Sequence, residues 1–487
     1  MRKLLVSLHA LAVIAALLPA HASSQTSRVT NGSPKYVFLF LVDGGGATHL
    51  EIARQYRQYI DNEGMIIVDK IMKEGSIGVM TTHAANSLST DSAAAATAMA
   101  SGCKAKIGAL GVCADGTVAV SAMEIARRRG MKLGLATNST IYDASPAAFV
   151  CHVPNRKDYP AILRRYIEMA PDVLLGGGRD QFLPKSQIGS QRTDDSDLIS
   201  EFTKLGYQSV TNLTQLQRVS SGKVLGLFDL VEMNFEIDRD KQNEPSVFDL
   251  TQAAIRLLHG PRGFFAFIES ENIDRASHTN DIASVIHDYR EFDRAVGLAY
   301  EFYRKYPRDT LIIVASDHES GGLGMTLALK DMSSTKGNNQ VAGSFDDFKK
   351  LQRIGMSLQK AAKQLGPNPT SASVDKLMAE HFPGFTLASE FRDKIVNNQF
   401  LSRTIFAEPV ANALGMMVAN NTQIYWQNTA HSNHPVLVAA LGVGAERFKG
   451  YYDNADFGNK LKALIEGKKD LSLNQPLTHR VANPQDR

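Results

Sequence analysis

The chain is poor in cysteine: among 487 residues there are three, Cys103, Cys113 and Cys151. That excludes a small scaffold held by several disulfides, and the spacing fits no zinc ribbon. A dominant charge is also missing. Fifty-three basic residues face 50 acidic ones, for a net charge of +3, and Arg2 with Lys3 supply two of those charges. That is too little for binding by phosphate neutralisation, and no basic run with interleaved aromatics occurs, so specific nucleic-acid binding is not expected. Internal repeats and low-complexity tracts are absent. What remains is an ordinary globular composition, 44% apolar and 21% charged. The length suits one large α/β domain with insertions, or two to three smaller ones.

The N-terminus reads MRKLLVSLHALAVIAALLPAHA. A charged start, an apolar run over residues 4–18 and Ala20-His21-Ala22 form a secretory signal with cleavage after Ala22. The apolar run is short for a membrane span and ends at Pro19. The mature chain is therefore expected in a periplasm or outside the cell, without a membrane span. An oxidising compartment favours a disulfide. Cys103 and Cys113 bracket a short glycine-containing loop and are the expected pair, which leaves Cys151 a buried thiol.

Apolar runs at 36–42, 132–137, 172–175, 224–228, 264–268, 310–315 and 436–441 lack two-residue alternation. That pattern fits strands covered on both faces. Helical patterns lie between them, such as Ile282, Val285, Ile286, Tyr289, Phe292 and Val296. The expected fold is α/β: a three-layer sandwich with a large, mostly parallel central sheet flanked by helices. Residues 23–321 and 424–467 form its core. Residues 322–423 read as a polar, helix-rich insertion resembling a cap or crown, with helical pieces at 345–365 and 373–381. Residues 468–487 form a polar tail.

Chemistry-bearing residues cluster where these strands end, which is where open α/β sheets build their sites. Asp43 follows the first strand in LVDGGG. Glu269, Asp274 and His278 lie in ESENIDRASH, and on a helix the last two share a face. Asp317 and His318 are adjacent in SDHESGG, so both reach one centre only where the backbone leaves strand geometry. His431 and His434 lie in TAHSNH. Each signal alone has an ordinary reading: a turn, a solvated helix face, a surface histidine. Together, nitrogen and carboxylate donors without cysteine suit two zinc ions in open sites, and Glu269 suits a third, magnesium-like ion. Ser92, in TDSAAAATA, heads a small-residue helix. A metal would activate its hydroxyl, and the helix N-terminus favours an anion there.

On these motifs the chain resembles the metal-dependent alkaline phosphatases. TDSAAAATA resembles the family's nucleophile segment, with Ser92 as the serine that becomes phosphorylated. DASPAAFVCHVPNR resembles the segment from a magnesium-site hydroxyl, Ser145, to a phosphate-clamping arginine, Arg156. The resemblance places Glu269 on magnesium, Asp274, His278 and His431 on the first zinc, and Asp317 and His318 on the second. Asp43 falls between the second zinc and magnesium, and Asp91 orients Arg156, although alone it reads as a helix N-cap. Arg275 stands where some bacterial members carry lysine, so it is a candidate substrate-binding residue. Ser145 replaces the more usual threonine, VDGGG the more usual GDGMG, and Asp143 the histidine of some members. His434 has no counterpart in the family.

The implied activity is hydrolysis of phosphate monoesters of broad leaving-group type through a phosphoserine, and the family is often homodimeric. Two other readings compete. A phosphodiesterase or sulfatase of the same superfamily is disfavoured by the presence of Glu269 and Arg156 and by the absence of a C/S-x-P-x-R motif at Ser92. An inactive secreted protein that binds metal or phosphate is disfavoured by the complete nucleophile and ligand set.

Overall fold

The computed structural model describes residues 32–468, apart from 327, 330–340 and 343–344. The signal sequence and nearly all of the expected tail lie outside the described residues.

Ten strands form one sheet. In chain order they are β1 (Tyr36–Val42), β2 (Ser76–Thr81), β3 (Lys132–Thr140), β4 (Val173–Gly177), β5 (Tyr207–Val210), β6 (Lys223–Leu227), β7 (Phe264–Ser270), β8 (Thr310–Ser316), β9 (Val436–Gly442) and β10 (Gly450–Asp453). Across the sheet the order is β10-β2-β9-β8-β1-β7-β3-β4-β6-β5. β9 runs antiparallel to both neighbours, and every other pairing is parallel. The protein is thus an α/β sandwich on a large, mostly parallel sheet.

β1 shows why the strands read as unbroken apolar runs. Phe38, Phe40 and Val42 enter the core on one face of the sheet, while Val37, Leu39 and Leu41 enter the core on the other. Both faces are dry, so no position along the strand selects for a polar residue. The expected helical stripe belongs to helix α3 (Ile282–Lys305), whose Val285, Ile286, Tyr289, Phe292 and Val296 pack into the first core. The second core takes Ala93, Ala96, Met99 and Ala100 of α1 (Ser92–Ser101), a helix buried along its whole length. A larger side chain on any face of that helix would have to displace packed neighbours.

The remaining helices used below are α2 (Asn272–His278), α4 (Leu358–Leu365) and α5 (Pro409–Thr422). The last two belong to the stretch 322–423. That stretch leaves and re-enters the core side by side, because Gly324–Met325 pairs antiparallel with Ile424–Tyr425. The helical piece at 345–365 is not continuous. An α-helix at Phe345–Lys349 passes into a 3-10 turn at Lys350–Arg353, and α4 begins afresh after Ser357, whose hydroxyl caps Lys360. Among the described residues no helix is long and apolar enough to cross a membrane.

Candidate active site

The acids and histidines expected at strand ends converge at the carboxyl edge of β1, β7 and β8. Asp43 follows β1 directly, Glu269 is the penultimate residue of β7, and Asp317 with His318 follow β8. All four are buried. Gly44, next to Asp43, has φ +70°, and a Cβ there would sit 2.5 Å from Asp274 Oδ1. Only glycine lets the loop approach that closely.

His278 lies one helical turn beyond Asp274 on α2, with Nε2 3.0 Å from Asp274 Oδ2. His431 Nε2 lies 3.3 Å from His278 Nε2 and 3.8 Å from Asp274 Oδ1. The opposite ring nitrogens are already committed. His278 Nδ1 donates to Thr429 O at 2.5 Å, and His431 Nδ1 to Thr90 O at 2.9 Å. With Nδ1 as the donor, both Nε2 lone pairs point at one place beside a carboxylate, the arrangement a cation satisfies. Asp274, His278 and His431 form one candidate metal-binding group, and Asp43, Asp274 and His318 a second.

His318 Nε2 lies 3.4 Å from Asp43 Oδ1 and 3.3 Å from Asp317 Oδ2. Its ring stacks on His431 with centroids 3.7 Å apart. Asp317 Oδ1 accepts from the Gly44 and His318 amides. Ser145 donates to Asp43 Oδ2 at 3.3 Å, and Thr137 to Glu269 Oε2 at 2.6 Å. Asp43 Oδ1, Glu269 Oε1 and Asp317 Oδ2 are buried without any hydrogen-bond donor. Such orphaned carboxylate oxygens are rare in a folded interior and fit bound cations.

The electrostatics agree. Burial pushes Asp43 well above the usual carboxylate range, with Asp317 and Asp274 adding to the shift. Burial likewise raises Glu269 and Asp317 to about 8. Burial holds His318 and His431 below the ordinary imidazole value. Asp274 raises His278 to about 9. Against the effect of its own burial, Asp274 is held low by His278 and His431.

Ser92 opens α1, and its Oγ lies 3.2 Å from His318 Nε2. Asp91 makes contacts with both of its carboxylate oxygens. Its Oδ1 caps Ala94 N at 3.0 Å, while its Oδ2 lies 3.2 Å from Arg156 Nη1. Asp143 Oδ1 takes Arg156 Nη2 at 3.0 Å, so the guanidinium is fixed from two sides near the helix N-terminus. Arg275 is engaged elsewhere. It donates to Met233 O, Asn272 Oδ1 and Gln359 Oε1 and lies over the Phe235 ring. Cys103 and Cys113 are bridged, and Cys151 is a buried free thiol.

Several supporting residues carry no distinctive signal in the sequence. Thr137 orients Glu269. Ser320 bonds Asp274 Oδ1 and lies 3.4 Å from His318 Nδ1. Glu319 accepts from Ser432 and from the Gly322 and Leu323 amides, and His434 Nδ1 lies 3.5 Å from it. The two-residue strands Glu319–Ser320 and His431–Ser432 pair there and bring His431 to His318. In sequence Thr137 reads as the end of a strand, and Glu319, Ser320 and Ser432 read as parts of ordinary turns.

A buried serine at a helix N-terminus thus faces carboxylate and imidazole groups above a mostly parallel sheet, an arrangement suited to metal-assisted hydrolysis. The profile described as "Alkaline phosphatase" matches residues 34–466, and the chain belongs to the alkaline phosphatase family. It is 29% identical to an alkaline phosphatase of Schizosaccharomyces pombe over 91% of this chain and 83% of that protein. It is 29% identical to alkaline phosphatase 3 of Bacillus subtilis over 92% of each. The structure is similar to that of Thermus thermophilus alkaline phosphatase with a TM-score of 0.81, at 26% identity over 93% of this chain and 97% of that one.

Proposed function

We propose that the chain is an exported alkaline phosphatase that hydrolyses phosphate monoesters through a phosphoserine at Ser92. The observation that carries this reading is the position of Ser92 Oγ, 3.2 Å from His318 Nε2 at the buried start of α1.

Asp274, His278 and His431 would hold one zinc ion, Asp43, Asp317 and His318 a second, and Asp43, Ser145 and Glu269 a magnesium ion. When bound, these ions lower the pKa of a hydroxyl and neutralise charge on phosphoryl and leaving-group oxygens. The chain supplies the rest. The N-terminus of α1 presents unpaired amides to the phosphoryl group. Arg156, braced by Asp91 and Asp143, offers a planar pair of N–H donors to two non-bridging oxygens. Ser92 Oγ attacks phosphorus, the ester oxygen departs with its electron pair and takes a proton, and phosphoserine results. Water then attacks phosphorus, Ser92 recovers its hydroxyl, and inorganic phosphate leaves. Most of the rate arises from positioning and fixed charge.

The test is to quench the enzyme with an aryl phosphate at low pH and map the labelled peptide. Label on Ser92 is the expected result. Label on another residue, or none during turnover, overturns the reading.

A further inference from the structure

Residues 322–423 could be a passive decoration on the core. Their contacts with the metal-binding histidine argue otherwise. His278 is the last residue of α2, so its backbone carbonyl has no partner within that helix. Asn412 on α5, fully buried, donates from Nδ2 to His278 O at 3.2 Å and to Asn280 Oδ1 at 3.0 Å. Its own Oδ1 accepts from Glu408 N at 3.0 Å. Both amide hydrogens are used, and the accepted bond from Glu408 N fixes the orientation of the side chain.

The same turn is gripped at other points. Asn280 has φ +59°, and its Nδ2 donates to Asn428 O at 3.1 Å. Thr429 O receives His278 Nδ1, while Thr429 N donates to Thr404 O at 2.9 Å. Gly415, one turn beyond Asn412, lies so close that a Cβ there would meet Asn280 O at 2.8 Å. Gln359 on α4 links Arg275 of α2 to Glu408 at the start of α5. The backbone that aims the His278 ring is therefore held from the inserted stretch through Asn412, and from the Asn428–Thr429 segment that follows it, while Asn138 of β3 accepts from the Glu271 and Asn272 amides at the other end of α2.

We infer that Asn412 is a positioning residue for His278, and that through it the inserted stretch sets the affinity of the Asp274–His278–His431 group for its metal. This rests on the reading of His278 as a metal ligand. Removing the donor leaves His278 O without its side-chain partner, so the turn relaxes and the imidazole leaves its alignment. Loss of an outer-sphere partner of this kind typically weakens metal affinity by about 10- to 100-fold.

The test measures zinc bound to the full-length, metal-stripped protein by equilibrium dialysis against buffered free zinc. Asn412→Asp keeps the shape and the acceptor for Glu408 N but loses both donors. Gly415→Ala displaces α5 from the turn without touching Asn412, and it stands in if the first variant fails to fold. His278→Ala is the reference, and Asn420→Ala, exposed on the same helix, the control. In Asn412→Asp and Gly415→Ala one ion should bind about tenfold or more weaker while the other keeps wild-type affinity. Excess zinc should restore kcat with KM unchanged, and Asn420→Ala should match wild type. If both test variants bind every ion normally while His278→Ala loses one, the inference is wrong. If His278→Ala itself binds every ion normally, the ligand assignment falls and the inference falls with it.

Discussion

Ser92 Oγ and His318 Nε2 face each other at 3.2 Å inside the protein. In isolation the pair looks like a nucleophile and its base. The surroundings argue differently, because the same nitrogen is 3.4 Å from Asp43 Oδ1 and 3.3 Å from Asp317 Oδ2. A nitrogen shared by a hydroxyl and two carboxylates suits a common cation better than a proton relay. Ser92→Ala should lower kcat by at least about a thousandfold and abolish acid-stable phosphoenzyme. A chelator should do the same to the wild type, reversibly with zinc and magnesium. Activity that survives exhaustive chelation would favour the dyad.

Arg156 is braced by two carboxylates and so presents a fixed donor pair. Arg156→Ala should reduce kcat/KM for an aryl monoester by roughly ten- to a hundredfold. A methyl aryl diester has one non-bridging oxygen fewer to offer and should be affected far less. Equal losses on both substrates would make the residue purely structural.

The metal-free protein should lose stability as pH rises. Burial raises Glu269 and Asp317 to about 8, whereas unfolded carboxyls titrate near pH 4. Between those values the folded state binds more protons, so alkali favours unfolding. His278, raised to about 9 by Asp274, acts in the same direction above its unfolded value of about 6.5. Calorimetry of the chelated protein should show Tm falling between pH 7 and pH 8.5, above the range in which His318 and His431, held low by burial, act in the opposite direction. With metals bound the ligands stay deprotonated and the slope should flatten. A Tm of the chelated protein that rises across this range would contradict the account.

The Cys103–Cys113 bridge begins one residue past Gly102, the C-cap of α1. The bridge lies at the end of the helix remote from Ser92, while the loop it closes returns to the site, where Gly108 N donates to Asp91 Oδ2 at 3.1 Å and Gly108 O accepts from Arg156 N at 2.8 Å. Replacing both cysteines by serine should cost about 2–3 kcal/mol in urea unfolding, with kcat changed less than about twofold. A large loss of kcat at unchanged stability would place the bridge in the chemistry instead.

How much was legible follows from burial. Strands dry on both faces declare themselves as apolar runs, which is why β1, β7 and β8 and the acids at their ends stood out. β2 alternates buried with exposed positions, and β5 and β10 are four-residue edge strands. None of these three makes a continuous apolar run, and all were missed. The reversal of β9 left no trace either, since antiparallel and parallel neighbours bury the same side chains. Ligand residues were readable because their types are rare in apolar surroundings. Thr137, Ser320 and Asn412 were not, because a buried hydroxyl or amide is told from a surface one only by the partner that folding brings to it.

The reversal of β9 has a consequence for biosynthesis. Because that strand runs against β8, its beginning rather than its end lies at the site, and His431 arrives just ahead of it. The converging groups span Asp43 to His431, so a ribosome must make nearly nine-tenths of the chain before they can meet. A polypeptide that ends before His431 lacks one member of the Asp274–His278–His431 group.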